Sequence, residues 1–195
     1  MAAADIGWTG SPRGFGMLPI LQEWPPGTVR GSRYEKGESM TDWRDDRVGA
    51  AERGENPMTL ARMASGFAFF GDTQFLPGYC VLAAVPECNH LTDLAPNGRA
   101  QFMLDMALIG EAMTEVLAED GLVRINYEIQ GNTLPILHAH IWPRYAWEPA
   151  ARRPLPVSRY PLERWRDPAF AYTDATHGAL RQRLAEAIGR RVRQG

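Results

Sequence analysis

Residues 134–145 read LPILHAHIWPRY. In an extended chain successive side chains alternate between two faces. Leu134, Ile136, His138, His140 and Trp142 then share one face, and Leu137, Ala139 and Ile141 share the other. The pattern predicts a strand with two adjacent imidazoles on one side and an apolar underside. Each imidazole titrates near neutral pH. Pro143 cannot donate a ladder hydrogen bond and is expected to end the strand, with Arg144 at its rim. A nucleophile, a proton partner and a cation near one strand end suit phosphate chemistry. Taken alone, the pair is equally compatible with two buried, hydrogen-bonded histidines.

The residues upstream give the pair a context. Residues 123–129, VRINYEI, are rich in β-branched and aromatic side chains and predict a strand. Gln130-Gly131-Asn132-Thr133 predicts a turn, with Gly131 free to take positive φ. The resulting hairpin is expected to bring Asn126 and the Gly131-Asn132-Thr133 turn close to the histidines. A glycine turn flanked by amide and hydroxyl side chains can present donors to phosphate oxygens.

On these residues the chain resembles the histidine-triad (HIT) family of nucleotide hydrolases and transferases, and is similar to its diadenosine tetraphosphate hydrolase-like members. With Pro143-Arg144, Gly131-Asn132-Thr133 and Asn126 as anchors, His138 falls on the family's nucleophile and His140 on its third histidine. Ile136 stands where the first histidine is expected, so the triad is degenerate. A rival register makes His138 the first, His140 the nucleophile and Trp142 the third. It leaves the flanking spacing less well matched.

The likeness continues upstream in SGFAFFGDTQFLPGYCVLAAVPECNHLTDL, residues 65–94. Asp72 lies within a residue of the ribose-binding position. Tyr79 replaces a histidine, Glu87-Cys88 replaces a basic run, and His90 comes one residue late. The resemblance covers roughly residues 42–145. It implies an α+β fold, an antiparallel sheet with one long helix, with a C-terminal helix beyond it. It implies catalysis by His138 and His140, with Asp72, Asn126, Asn132, Thr133 and Arg144 binding substrate. No cofactor and no metal ligand set are implied. The implied partners are a nucleotide substrate and a second copy of the chain.

Composition sets outer bounds. The chain has 195 residues, 45% of them hydrophobic, enough for one domain with tails. Lys plus Arg is 21 against 23 for Asp plus Glu, a formal charge of −2, which gives no general drive toward nucleic acid or membrane. Two cysteines, Cys80 and Cys88, argue against a disulfide framework and for a cytoplasmic location. No secretory signal, Walker loop or dinucleotide fingerprint is found.

Residues 1–40 are rich in Gly and Pro and are read as an arm, 41–145 as the HIT-like domain, and 146–195 as a tail with a final helix. The better pattern opens at Met40, a candidate start of the chain. A short helix is expected over 42–53 with Thr41 as cap, and strands over 59–64, 67–70 and 79–85. The strongest helix is expected over 96–120, opened by Pro96 and closed by Gly121. Its stripe of Phe102, Met106, Ile109, Met113, Val116 and Leu117 is core-facing. The stretch up to residue 172 is Pro- and Arg-rich, and a last helix is expected over 176–193.

Three functions remain open at this point. The leading one is a hydrolase or nucleotidyl transferase acting on dinucleoside polyphosphates or related nucleoside phosphates through a nucleotidyl-histidine. The second is a nucleotide-binding protein without turnover, for which Ile136 and Tyr79 argue. The third is a metal-dependent enzyme using His138 and His140 with His90 or Asp72, for which no third ligand stands out.

Overall fold

A computed structural model describes residues 42–132 and 134–194. The N-terminal arm, the Met40 start, the Thr41 cap and the Thr133 contact lie outside the described residues. The fold is α+β. Five strands, β1 (Thr59–Arg62), β2 (Gly66–Phe70), β3 (Cys80–Ala84), β4 (Leu122–Ile129) and β5 (His138–Tyr145), form one antiparallel sheet. Their spatial order is β1-β2-β3-β5-β4. The helices are α1 (Arg47–Glu52), α2 (Pro96–Val116), α3 (Leu162–Arg166) and α4 (Asp174–Val192).

Period-2 alternation divides the sheet into two faces. On one, Cys80, Leu82, Ala139 and Ile141 are fully buried with Phe102, Ile109 and Met113 of α2 and Leu184, Ala187 and Ile188 of α4. The predicted stripe of α2 is therefore core. On the other face Phe67, Phe69 and Ala83 pack under Val48 and Ala51 of α1. The histidines lie on this second face.

Four boundaries differ from expectation, each for a local reason. Helix α1 starts at Arg47 because the Asp42 carboxylate takes the Arg44 backbone N–H at 3.0 Å, making a turn instead of a helix. Asp46 then caps α1 by accepting from the Gly49 N–H at 3.0 Å. Helix α2 ends at Val116, and a 3-10 turn over Ala118–Asp120 leads to Gly121, whose φ of 80° reverses the chain. Strand β5 begins only at His138, since residues 134–137 bend away toward the 86–90 loop, where the Leu137 N–H donates to the Cys88 carbonyl at 2.5 Å. It also runs past Pro143 to Tyr145. Pairing with β3 stops at Ile141, so Pro143 sits where β5 has a partner on one side only, a position that tolerates a missing N–H.

Beyond β5 the chain is held by a buried ion pair. Arg144 and Glu148 have side chains 7% and 0% exposed, with Nη2 to Oε2 at 2.9 Å. Arg144 also donates to the carbonyls of Leu155 at 2.9 Å, Arg152 at 3.1 Å and Arg153 at 3.2 Å. Glu148 accepts in addition from the Tyr145 N–H at 2.7 Å and the Tyr160 hydroxyl at 2.5 Å. Burial works against the Glu148 charge, but the hydrogen bonds from Arg144, Tyr160 and Tyr145 outweigh it and hold the carboxyl below the ordinary range.

Removing one partner of such a pair strands a buried charge. Arg144→Ala is expected to destabilise the fold by about 3–5 kcal/mol, read from the urea unfolding midpoint. The Arg144→Ala/Glu148→Ala double variant should lose less than the sum of the two singles. The stabilisation from the Glu148 carboxylate is present above its ordinary value of 4.5 and lost as pH falls through its lowered value.

Candidate functional site

His138 and His140 stand on the outer face of β5, flanked by β3 on one side and by β4 on the other, with Ala83↔His138 and Glu128↔His140 in register. They open onto a cavity of about 480 Å³ lined by Leu134, Ile136, Phe69, Val81, Ala83, Val48 and Tyr79. Its walls are mostly apolar, and its polar groups are few: the two histidines, Arg47, Asp72, Thr73, Arg166 and Asp167. A ligand with a flat apolar part and a charged part suits such a cavity.

The hydrogen bonds fix both tautomers. His138 Nδ1 lies 2.7 Å from the Ile136 carbonyl oxygen. A carbonyl only accepts, so Nδ1 carries a proton. In the neutral ring this leaves Nε2 as an unprotonated, nucleophilic nitrogen. His140 Nδ1 lies 2.5 Å from the Tyr79 hydroxyl. Burial first, and then the charge of Asp72, push the Tyr79 phenol well above the usual tyrosine value. It therefore keeps its proton, and because His140 Nδ1 is the one hydrogen-bond partner of this buried hydroxyl among the described residues, the phenol donates to it. Burial first, and then repulsion from His138, lower His140 to about 4. His140 is thus neutral at physiological pH with its proton on Nε2. The two rings meet edge to face at 4.8 Å, one offering a lone pair and the other an N–H donor.

The Tyr79 ring is itself clamped. It stacks on Trp142 with centroids 3.4 Å apart and planes 7° from parallel. On its other side is Gly71, where an added Cβ would fall 2.0 Å from Tyr79 Cδ1, so only glycine leaves room for the ring. Gln74, buried, ties the loop together by donating to the Gly71 carbonyl at 2.7 Å and accepting from the Gly78 N–H at 2.8 Å.

Asp72 lies at the cavity rim. Its carboxylate is gripped by Arg47 from α1, Nη1 to Oδ1 at 3.0 Å and Nη2 to Oδ2 at 2.5 Å. The tail supplies the opposite wall. Ala171 bridges to Thr73, the Gln74 N–H donates to the Phe170 carbonyl at 2.7 Å, and the Tyr172 N–H to the Asp72 carbonyl at 2.9 Å. These bonds bring Trp165, Asp167 and Pro168 onto the cavity.

The structure thus brings His138, His140 and Asp72 together. It places Asn126 and Arg144 elsewhere on the same sheet face, where both line a separate cleft. Asn126 sits opposite Trp142 in the β4–β5 register, and Arg144 is committed to Glu148. Asn132 is exposed on the connection before β5 and does not line the cavity. His90 caps a short 3-10 turn over Leu91–Asp93. Among the described residues no group of three or more His, Cys, Asp or Glu is arranged to hold a metal ion. Arg47 and Trp165 are site residues that the sequence reading did not single out. The one available signal was the aromatic density of an otherwise irregular tail, Tyr160, Trp165, Phe170 and Tyr172.

In Tyr79→Phe the hydrogen bond to His140 is lost. Nitrogen-15 NMR of the wild-type ring should report the Nε2–H tautomer at neutral pH and protonation near pH 4. The variant should give a mixture of tautomers. A wild-type His140 protonated on Nδ1 would contradict the assignment.

No protein-family model matches the chain, and no curated protein matches it. Solved structures do. A histidine triad protein from Marinobacter aquaeolei VT8 superposes with a TM-score of 0.57 at 20% identity, over 74% of this chain and 94% of that one. A histidine triad protein from Sinorhizobium meliloti 1021 gives 0.56 at 18% identity, over 75% and 95%. A hypothetical histidine triad nucleotide-binding protein from Sulfolobus tokodaii gives 0.53 at 14% identity, over 73% and 91%. Five antiparallel strands, with His138 and His140 on β5 beside the central β3 and with α2 packed behind, are the fold of the histidine-triad proteins.

Proposed function

We propose that the protein is a nucleotide hydrolase or nucleotidyl transferase that works through a covalent nucleotidyl-histidine. The observation that carries this reading is the bond from His138 Nδ1 to the Ile136 carbonyl, which leaves Nε2 nucleophilic beside the cavity. Nε2 attacks the α-phosphorus of a bound nucleotide, and an N–P bond forms as the bond from phosphorus to the leaving group breaks. The departing group takes a proton from solvent, and the water of the second step returns one. Water then attacks phosphorus, the N–P bond breaks, and a nucleoside monophosphate leaves with His138 regenerated. His140 donates from Nε2 toward the phosphoryl oxygens, where negative charge develops. The apolar walls around Phe69, Val48 and Val81 receive the base. Asp72, oriented by Arg47, retains lone pairs for the ribose hydroxyls. We propose dinucleoside polyphosphates and adenosine phosphoramidates as the first substrates to test.

Two further features belong to this proposal. Strand β4 is a sheet edge with Val123 66% and Tyr127 45% exposed, which suits a homodimer built on that side. Cys80 and Cys88 are both free thiols, in keeping with a cytoplasmic location. No described helix is long and apolar enough to cross a membrane.

A second reading, nucleotide binding without turnover, draws support from Ile136 and Tyr79, which stand where the resemblance expects histidines. One assay separates the two. Purified protein is incubated with diadenosine tetraphosphate and with an adenosine phosphoramidate, with and without EDTA. The expected outcome is EDTA-resistant release of AMP or ATP that falls by at least about a thousandfold in His138→Ala, the scale set by loss of a covalent nucleophile. Binding by calorimetry with no turnover supports the second reading instead. Neither binding nor turnover rejects both.

A further inference from the structure

The histidine cavity is not the only cleft on this face of the sheet. Farther along β4 and β5, past Trp142, a cleft of about 410 Å³ is lined by Arg124, Asn126, Arg144, Glu148, Arg153 and prolines of the tail. The acceptors of Glu148 and of the tail are already used. The Glu148 carboxylate accepts from Arg144, Tyr145 and Tyr160. The carbonyls of Arg152, Arg153 and Leu155 all turn inward to Arg144. Pro154 and Pro156 contribute no N–H.

Its donors, in contrast, are unspent. Arg124 and Arg153 are exposed, and neither guanidinium has an ion-pair or hydrogen-bond partner among the described residues. The charge of Arg144 is cancelled by Glu148, so the two open arginines leave the cleft with a net positive charge. At its wall the Asn126 side-chain oxygen is buried with no partner. That oxygen is an acceptor, so it calls for a bound water or a ligand hydroxyl, and the anion itself is left to the arginines.

We propose that this cleft is a second anion-binding site, separate from the histidine cavity, and that its ligand is a phosphate-bearing small molecule. Paired guanidinium forks match phosphate oxygens in charge and geometry. The volume accommodates a chain of several phosphates better than a single small ion. Segment 149–156, whose carbonyls Arg144 gathers, brings Arg153 to the same cleft as Arg124. The site stands independently of the histidine chemistry proposed above.

The probe is inorganic triphosphate, titrated calorimetrically into the full chain at low ionic strength. Saturable binding is expected in the wild type, unchanged in His138→Ala, and weakened by added salt. In Arg124→Gln/Arg153→Gln the affinity should fall by about tenfold or more, the effect of losing charge-assisted hydrogen bonds. Both arginines are exposed, and a circular dichroism melt equal to wild type verifies that the variant is folded. Absence of saturable binding in the wild type overturns the proposal. So does binding that survives in the arginine variant but is lost in His138→Ala or Arg47→Gln, because the anion then occupies the histidine cavity.

Discussion

The register of β5 between β3 and β4 is the constraint on which the rest depends. It sets even-numbered residues of the strand toward the face that carries the cavity and odd-numbered ones toward α2. Both sets are demanding. Ala139 and Ile141 are fully buried in the core, while His138 and His140 need their hydrogen-bond partners on the other side. A slip of one residue would bury imidazoles under α2 and expose the apolar set. The same pairing positions Tyr79 at the end of β3, within reach of His140.

Two imidazoles side by side are held in different states by different neighbours. A carbonyl that can only accept sets one, and a phenol too buried to ionise sets the other. The low value of His140 belongs to the same arrangement, because burial and the facing ring both disfavour its cation. Ile136 contributes through its backbone although its side chain is inert. A histidine is therefore not needed at that position to orient His138.

The α+β class, the antiparallel sheet, the long helix and the two-faced histidine strand were all legible in the sequence, because period-2 and period-3.6 patterns report burial directly. The neighbours of the histidines were legible only where local chemistry spoke for them, as at Asp72. Arg144 read as a cation at the strand rim, placed to bind substrate phosphate. Its partner Glu148 lies four residues on, in a stretch with no periodic pattern, so no local rule pointed to a buried pair. Arg47 read as one more helix arginine, and its contact with Asp72 spans 25 residues. Wall residues such as Trp165 were hidden for the same reason. They reach the cavity through the bridge between Thr73 and Ala171 and through the packing of Trp165 on Phe75 and Trp142, contacts that sequence spacing does not encode.

That bridge has a consequence for the order of assembly. The sheet, both histidines and the Tyr79 clamp are complete once residue 145 has been made. The wall that carries Trp165, Pro168 and Ala171 arrives twenty or more residues later. During synthesis the N-terminal parts of a chain emerge and organise first. A nascent chain still short of residue 171 has both histidines on an open sheet face. The outer wall of the cavity is translated after the sheet face it covers, and helix α4, which completes the core on the other face, follows it.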